Sequence, residues 1–348
     1  MSKVLVVGGA GFIGVHVAMR YLREGEEVHV ADNLSRNGAR ANYATLQGLT
    51  TAGGGKLTFH HLDLRIRTDV EAIVLKVQPD LIVHEAAQVA VTTSVSDPRL
   101  DFEINALGTF NLLEAYRQFS PQAFFIYAST NKVYGGMEDV AVVEEERRYR
   151  YRDYPEGLDE KRSLDFHSPY ACSKGAADQY VHDYSRIYGL ATAVFRQSCI
   201  YGTHQYGVED QGWIAWFTIA RVLHRPVTIY GTGKQVRDIL WVEDLVEAYH
   251  QAWKLRKAGG VYNIGGGAEN SLSLLELVEV LDELHPQRRP LTFGETRPGD
   301  QPVYIANAGL ARQELNWLPQ VGPRPGIERL YRWVYDHQEA VRSVLASG

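Results

Sequence analysis

The chain has 348 residues, 45% of them hydrophobic and 22% charged, the profile of a globular protein of one large domain or two ordinary ones rather than of a disordered chain. Lys and Arg number 36 against 42 Asp and Glu, a formal charge of -6, which argues against a dedicated nucleic-acid or membrane-surface binder. The two cysteines, Cys172 and Cys199, cannot make a disulfide framework and point to a reduced, cytoplasmic protein, and no segment approaches the ~18 uninterrupted apolar residues of a membrane span.

After its lysine, Lys3 to Val7 is apolar without alternation, as expected of a parallel strand covered on both faces. The stretch superficially resembles a signal peptide, but glycines interrupt it and no small-residue cleavage pattern follows. It reads as a strand running into a glycine loop, so that the chain starts directly in its fold. Phe12 to Arg23 has helical spacing, with Ile13, Val17 and Leu22 on one face and Gly25 as the stop. Glu27 to Ala31 is the next strand and closes a βαβ unit of about 30 residues. Strand signals recur at Leu57 to His61, Leu81 to His84 and Ala123 to Ala128, with helical patterns at Thr68 to Val77 and Pro98 to Tyr116 between them. This alternation is the signature of an α/β fold of the Rossmann type, a doubly wound parallel sheet.

Between Gly135 and Ser168 the pattern breaks. The segment EEERRYRYRDYPEG is charged and aromatic without a period and reads as a surface insertion. Interleaved arginine and tyrosine can stack nucleic-acid bases, but the adjoining Glu and Asp residues largely cancel the charge. A solvated or self-paired loop is the expectation, with some side chains free to roof a pocket. Helix resumes from Pro169 to Tyr188, with Ser168 as N-cap and Pro169 at the first helical position, and a strand follows at Thr192 to Gln197. Beyond it, strands at Val227 to Tyr230 and Val261 to Ile264 mix with helices at Leu272 to Leu284 and Gly326 to Tyr335 without strict alternation. The expected division is a sheet domain at 1–200 with a return segment near 236–264, and a smaller, interleaved C-terminal lobe mainly at 201–348.

Gly8, Gly11 and Gly14 stand at GxxGxxG spacing between the first strand and the first helix. A glycine triplet alone is weak, since a plain strand-to-helix turn uses glycine too; the flanking elements give it weight. Gly8 permits the tight turn, Gly11 lets the backbone approach a pyrophosphate at the helix N-terminus, and Gly14 packs the helix on the sheet. Asp32, 18 residues beyond Gly14, suits a carboxylate that binds the adenosine ribose hydroxyls and repels a 2′-phosphate, which favours NAD over NADP. Arg36 is close enough to reach either a 2′-phosphate or the pyrophosphate.

Tyr170 and Lys174 lie four residues apart on a predicted helix, hence on one face. A free phenol, with a pKa near about 10, is a poor base at neutral pH; a neighbouring ammonium and the positive ring of an oxidised nicotinamide stabilise the phenolate and lower that value. The YxxxK spacing is common by chance. The upstream STNKVYG at Ser129 to Gly135 strengthens it, because Thr130 then stands at a strand's carboxyl end, where such folds bind ligands, and its hydroxyl can bridge a substrate hydroxyl and Tyr170.

Other chemistry-bearing residues read more plainly. His60 and His61 are adjacent on a strand and point to opposite faces, so no metal site is expected. Cys199 has no evident histidine partner for nucleophilic work and reads as a packing residue near the pocket; Cys172 reads as a helix-packing residue. Arg237, before Asp238, and Arg297, before Pro298-Gly299, suit either surface ion pairs or a pyrophosphate.

Taken together, GGAGFIG, Asp32-Asn33, Asp63-Leu64, HEAAQ at His84 to Gln88, Asn105, Thr130 with Tyr170 and Lys174, and RPGDQ at Arg297 to Gln301 resemble the extended short-chain dehydrogenase/reductase family of nucleotide-sugar enzymes over essentially the whole chain. The resemblance implies that NAD is held by Gly8, Gly11, Phe12, Ile13, Gly14, Asp32, Asn33, Ser35, Arg36, Asp63, Leu64, Ala86, Ala87, Gln88, Asn105, Tyr170 and Lys174. It implies Tyr170 as general base, Thr130 as hydroxyl-positioning partner and Lys174 as electrostatic tuner, and a homodimer. Members that are 4,6-dehydratases carry Asp-Glu directly after the catalytic Thr; here Asn131-Lys132 stand there, which points to an epimerase. STNKVYG, the stretch from Leu164 to Gly189, FRQSCIYG and VEDQGW are most similar to the CDP-paratose/CDP-tyvelose 2-epimerase subfamily, which oxidises carbon 2 transiently and returns the hydride to the other face. In that comparison Asn131, Cys199, Gln211, Arg237 and Arg297 fall on the substrate, a CDP-sugar. Departures are Val7 for Thr, Ala171 for Gly, and Thr203-His204 for Pro-Arg, the last where the sugar or its phosphate packs. A UDP-sugar 4-epimerase and a non-catalytic NAD-binding redox sensor are the rival readings; the intact triad argues against the sensor.

Overall fold

The computed structural model describes residues 1–51, 55–285, 287, 291–296 and 301–346. Its first half runs β1 (Lys3–Val7), α1 (Phe12–Arg23), β2 (Glu27–Asp32), α2 (Ala39–Thr51), β3 (Lys56–His61), α3 (Arg67–Val77), β4 (Leu81–His84), α4 (Val91–Ser96), α5 (Pro98–Phe102), α6 (Gly108–Phe119) and β5 (Phe124–Thr130). A hairpin, β6 (Val142–Glu144) and β7 (Tyr149–Tyr151), precedes α7 (Pro169–Tyr188) and β8 (Thr192–Gln197). The remainder comprises β9 (Cys199–Tyr201), α8 (Trp213–Val222), β10 (Thr228–Tyr230), β11 (Val236–Trp241), α9 (Val242–Lys254), β12 (Gly260–Ile264), β13 (Ser271–Ser273), α10 (Leu274–Leu284), β14 (Thr292–Gly294), β15 (Val303–Tyr304), α11 (Gly309–Leu315), α12 (Pro323–Asp336) and α13 (Gln338–Ala346).

Seven parallel strands form one sheet in the order β12-β8-β5-β4-β1-β2-β3. Because β1, β4, β5 and β8 are buried along their lengths, both faces must be covered, and two apolar layers do so. Val4, Val6, Leu81, Val83 and Phe195 pack with α1, α9 and α11 on one side. Leu5, Val7, Ile82, Tyr127 and Val194 pack on the other with residues of α3, α6 and α7. A smaller sheet places β11 between β13 and β15, with β9 also paired to β11, and β10 pairs with β14. No described helix is long and apolar enough to cross a membrane.

The structure departs from the sequence reading in several places. Helices α2 and α4 were not expected, because their apolar residues are few. The helix read over Pro98 to Tyr116 is interrupted by a π turn at Glu103–Leu107, a wide turn that often marks a functional position. Cys172 is exposed on α7 rather than packed, since that helix buries Tyr170, Ala171, Ser173 and Lys174 instead. The insertion is paired as expected but also anchored. Arg150 pairs with Glu145 and Arg152 with Asp153 within it, while Arg147 and Arg148 reach Glu279 and Glu276 of α10. The Tyr151 hydroxyl donates to the Val303 carbonyl at 2.9 Å, buried beside Val133, Met137 and Tyr304.

Candidate active site

Strand order reverses between β1 and β4, and that switch point opens a crevice at the carboxyl ends of the strands. A cleft of about 440 Å³ lies there. Of the residues assigned to the dinucleotide, Gly8, Gly11, Phe12, Ile13, Gly14, Asp32, Asn33, Ser35, Arg36, Asp63, Leu64, Ala86, Ala87 and Gln88 line it. Gly8 has φ +82°, and a Cβ there would strike the Ala86 backbone; one on Gly14 would strike the Gly8 carbonyl, whereas one on Gly11 would meet only that same carbonyl, at 3.1 Å. The loop is therefore closed on its protein side and open at Gly11, the cradle an approaching phosphate needs. The Asp32 carboxylate accepts from the backbone N–H of Leu34 (2.7 Å) and of Ala10 (3.0 Å), tying the β2 end to the glycine loop. Burial raises its pKa, and these N–H bonds oppose the rise. Each oxygen keeps a lone pair for a hydroxyl donor, so the cleft fits a dinucleotide with a free ribose. Denaturing the purified protein should release NAD; recovery of NADP would contradict the ribose role of Asp32.

Residues the sequence reading missed complete the cleft. Asn42 of α2 donates to the Ala10 carbonyl (3.2 Å) and the His204 carbonyl (3.3 Å), and its buried Oδ1 has no protein partner. His204 to Gly207 close the same wall. Of Thr203-His204, His204 lines this cleft: the Thr203 carbonyl meets His16 Nε2 at 2.9 Å, and the His204 ring packs between His16 and Trp333. Gln211, assigned to the substrate, likewise lies across this cleft, where its Oε1 accepts from Arg36. Asp63 is held by Arg65, Nη2 to Oδ2 at 2.6 Å, which keeps its carboxyl below the usual range.

Asn105 does not face the cleft. The π turn directs it inward, where Oδ1 accepts from the Gln88 N–H and Nδ2 donates to the Gln88 carbonyl, both at 2.9 Å, and to Ser173 Oγ at 3.1 Å. It pins the β4 loop to α7 and acts on the cleft through Gln88. Asp101 joins the same network, accepting from Gln88, Asn105 and Ser173.

Thr130, Tyr170 and Lys174 converge where β5 ends beneath α7, and all three are buried. Ser168 caps α7 through its side chain, accepting from the Ala171 N–H at 3.3 Å, which fixes the first turn that carries Tyr170. Lys174 Nζ donates to the Ala128 carbonyl at 2.6 Å and stands 4.4 Å from the centre of the Tyr127 ring. The expectation that Lys174 lowers the Tyr170 pKa is not met by the protein alone. Burial pushes the phenol up to about 12, with the Thr130 hydroxyl drawing it down and Asp101 pushing it up. Behind them, Asp178 of α7 accepts from Ser129 Oγ (2.7 Å) and from Arg196 Nε (2.9 Å) and Nη2 (3.0 Å).

Of the residues assigned to the substrate, Asn131 follows Thr130 in a short 3-10 turn and accepts from its hydroxyl at 3.3 Å. Lys132 Nζ donates to Gln301 Oε1 at 3.3 Å, and Gln301 Nε2 donates to the Gly135 carbonyl, so Gln301 meets the STNKVYG stretch. Cys199 and Arg237 both lie on the smaller sheet, Cys199 opposite Ile239 and Arg237 opposite Tyr304; burial pushes the Cys199 thiol up. Arg297 lies outside the described residues. His60, on β3, sits with a ring nitrogen 2.9 Å from one of His29 on β2.

The family model described as GDP-mannose 4,6 dehydratase matches residues 5–330. The chain is 45% identical to CDP-paratose 2-epimerase of Salmonella typhi, covering 95% of this chain and 98% of that protein. It is 30% identical to dTDP-glucose 4,6-dehydratase of Salmonella typhimurium over 98% of this chain and 95% of that one. Among solved structures, the UDP-glucose 4-epimerase of Thermus thermophilus in complex with NAD superimposes with a TM-score of 0.77 at 32% identity, covering 94% of this chain and 98% of that one. With the glycine cradle and the acidic β2 end in the cleft and the buried Thr-Tyr-Lys group where β5 ends, the chain belongs to the extended short-chain dehydrogenase/reductase family of nucleotide-sugar epimerases and dehydratases.

Proposed function

We propose that this chain is an NAD-dependent nucleotide-sugar epimerase that inverts carbon 2 of a CDP-sugar of the paratose/tyvelose type. The observation that carries this reading is the pair Asn131-Lys132 directly after Thr130, in a chain 45% identical to a CDP-paratose 2-epimerase. Neither side chain is a carboxyl, so the acid and base that a dehydratase uses to eliminate water are missing from those two positions.

Bound NAD supplies a reversible hydride acceptor and, in its oxidised form, a positive ring. The glycine loop, Asp32, Asn42 and the Ala86-Ala87-Gln88 turn hold the dinucleotide. Thr130 orients the reacting sugar hydroxyl, and Tyr170 takes its proton as the carbon is oxidised and returns it when the alcohol re-forms. Lys174 keeps positive charge beside the phenol, which favours the phenolate that burial disfavours. Arg237 anchors the pyrophosphate from the smaller lobe, formed mainly by residues beyond 200.

Substrate deuterated at carbon 2 should keep its label in the inverted product and show a primary isotope effect if hydride transfer limits turnover. Label at carbon 4 should show neither a primary effect nor a changed configuration, and NMR of the product reads both. Inversion at carbon 4 would replace this reading with that of a 4-epimerase on the same machinery.

A homodimer is part of the reading. Phe102 of α5, Phe110 of α6, and Tyr180, Ile187 and Tyr188 of α7 are exposed, with Phe110 and Tyr180 in ring contact; a second copy of the same helix pair would cover them. The free thiols of Cys172 and Cys199 support a reducing, cytoplasmic setting.

A further inference from the structure

The register sets Ser129 of β5 beside Arg196 of β8, and Arg196 beside Asn263 of the edge strand β12. Paired residues project to the same face, so the three make a polar row across the sheet, one step before Thr130. Each is buried, and a buried polar group left without a partner is costly. Asp178 serves Ser129 and Arg196. Tyr134, which ends the 3-10 turn that starts from Thr130, serves the rest of the row. Its hydroxyl accepts from Arg196 Nη1 at 3.1 Å and donates to Asn263 Oδ1 at 2.7 Å. The donors of Asn263 turn to the insertion between Gly135 and Ser168. Nδ2 donates to the Leu158 carbonyl at 2.9 Å, and the backbone N–H donates to Glu160 Oε1 at 2.6 Å. Leu158 is fixed in turn by the chain after β15: its N–H donates to the Ile305 carbonyl and its carbonyl accepts from the Asn307 N–H, both at 2.9 Å. Within the turn, Thr130 Oγ1 accepts from the Lys132 N–H at 3.2 Å, and the Val133 carbonyl accepts from the Asp165 N–H of the insertion at 2.9 Å. The turn thus has the reacting threonine at one end and Asn263, held by the insertion, at the other.

We propose that Asn263 is a positioning residue: through the Tyr134 hydroxyl it ties the insertion to the turn that starts from Thr130, and so fixes where the Thr130 hydroxyl stands. This rests on the reading of Thr130 given above. It gives the insertion a part in the chemistry, because its Leu158 and Glu160 hold Asn263 in place while Asp165 holds the turn directly. A short turn bonded at both ends moves as a unit, so loosening Tyr134 displaces Thr130 without touching Tyr170 or Lys174, which α7 carries separately.

Tyr134→Phe keeps the ring that stacks on Tyr304 and deletes the hydroxyl. Asn263→Ala spares the Glu160 bond and the bond from Arg196 to Tyr134, deletes only the side-chain links, and serves alone if Tyr134→Phe does not fold. With CDP-paratose as substrate, each should lower kcat by about 10- to 100-fold, the scale on which misplacing a reacting group by about 1 Å costs turnover. The KM for the sugar and the NAD content should stay nearly unchanged. In a Thr130→Val background neither change should cost much more, because the hydroxyl they place is gone. Folded, NAD-loaded variants that keep their kcat and merely unfold at lower urea would show a structural network only, and the proposal falls. A full further loss on top of Thr130→Val overturns the route to Thr130. A loss with Tyr134→Phe that Asn263→Ala does not share runs through Arg196 and overturns the role of Asn263. A Thr130→Val protein that keeps its rate overturns the reading of Thr130 itself, and this proposal with it.

Discussion

Tyr170→Phe should lower turnover on the nucleotide sugar by about 100- to 10,000-fold, the usual worth of general-base catalysis, while fold and bound NAD persist. The substitution keeps the ring that fills the space below α7 and deletes the oxygen beside Thr130. Burial, with Asp101 adding to it and the Thr130 hydroxyl opposing it, pushes that phenol up to about 12, so the site disfavours the phenolate unless a positive partner is near. The measurement pairs steady-state rates with circular dichroism and the NAD content of the purified variant. A variant that keeps most of its rate would show that another group takes the proton.

Asp178→Ala should destabilise the protein by about 3–5 kcal/mol, because it leaves the Arg196 guanidinium buried without its counter-charge. Asp178 and Arg196 have side chains 0% and 6% exposed, so water cannot replace the lost carboxylate, and Ser129 loses its acceptor as well. The pair ties α7 to β5 and β8, so a variant that still folds should also bind NAD less tightly and turn over more slowly, since Tyr170 and Lys174 ride on that helix. Urea unfolding at matched NAD concentration reads the stability change. A loss below about 1 kcal/mol, the value of a surface ion pair, would mean that Arg196 finds another partner.

Much of this was legible from local signals. The unbroken apolar runs predicted β1, β4, β5 and β8 nearly to the residue, and the GxxGxxG spacing with an acidic β2 end located the cleft. Such patterns encode short-range geometry: a run of apolar residues reports burial on both faces, and a spacing of four on a helix puts Tyr170 and Lys174 on one side. Helix α2 escaped because its buried face is narrow, with Ala39, Asn42 and Leu46 among polar neighbours. The π turn escaped because one residue added to a helical turn leaves the apolar period almost unchanged.

What the sequence by itself determined is the sheet class, the glycine cradle, the grouping of Tyr170 and Lys174 on one helix face and the absence of carboxyls at 131 and 132. Only the tertiary structure decided where side chains from distant segments meet. Glu85 and Tyr249 are 164 residues apart in the chain, and Gln211 meets Arg36 across 175; strand order and loop closure bring them together, and no local period records either. The same holds for the phenol of Tyr170. The sequence places an ammonium one helical turn away, which predicts a lowered pKa, but burial is set by the whole fold, and removal from water raises the cost of the phenolate.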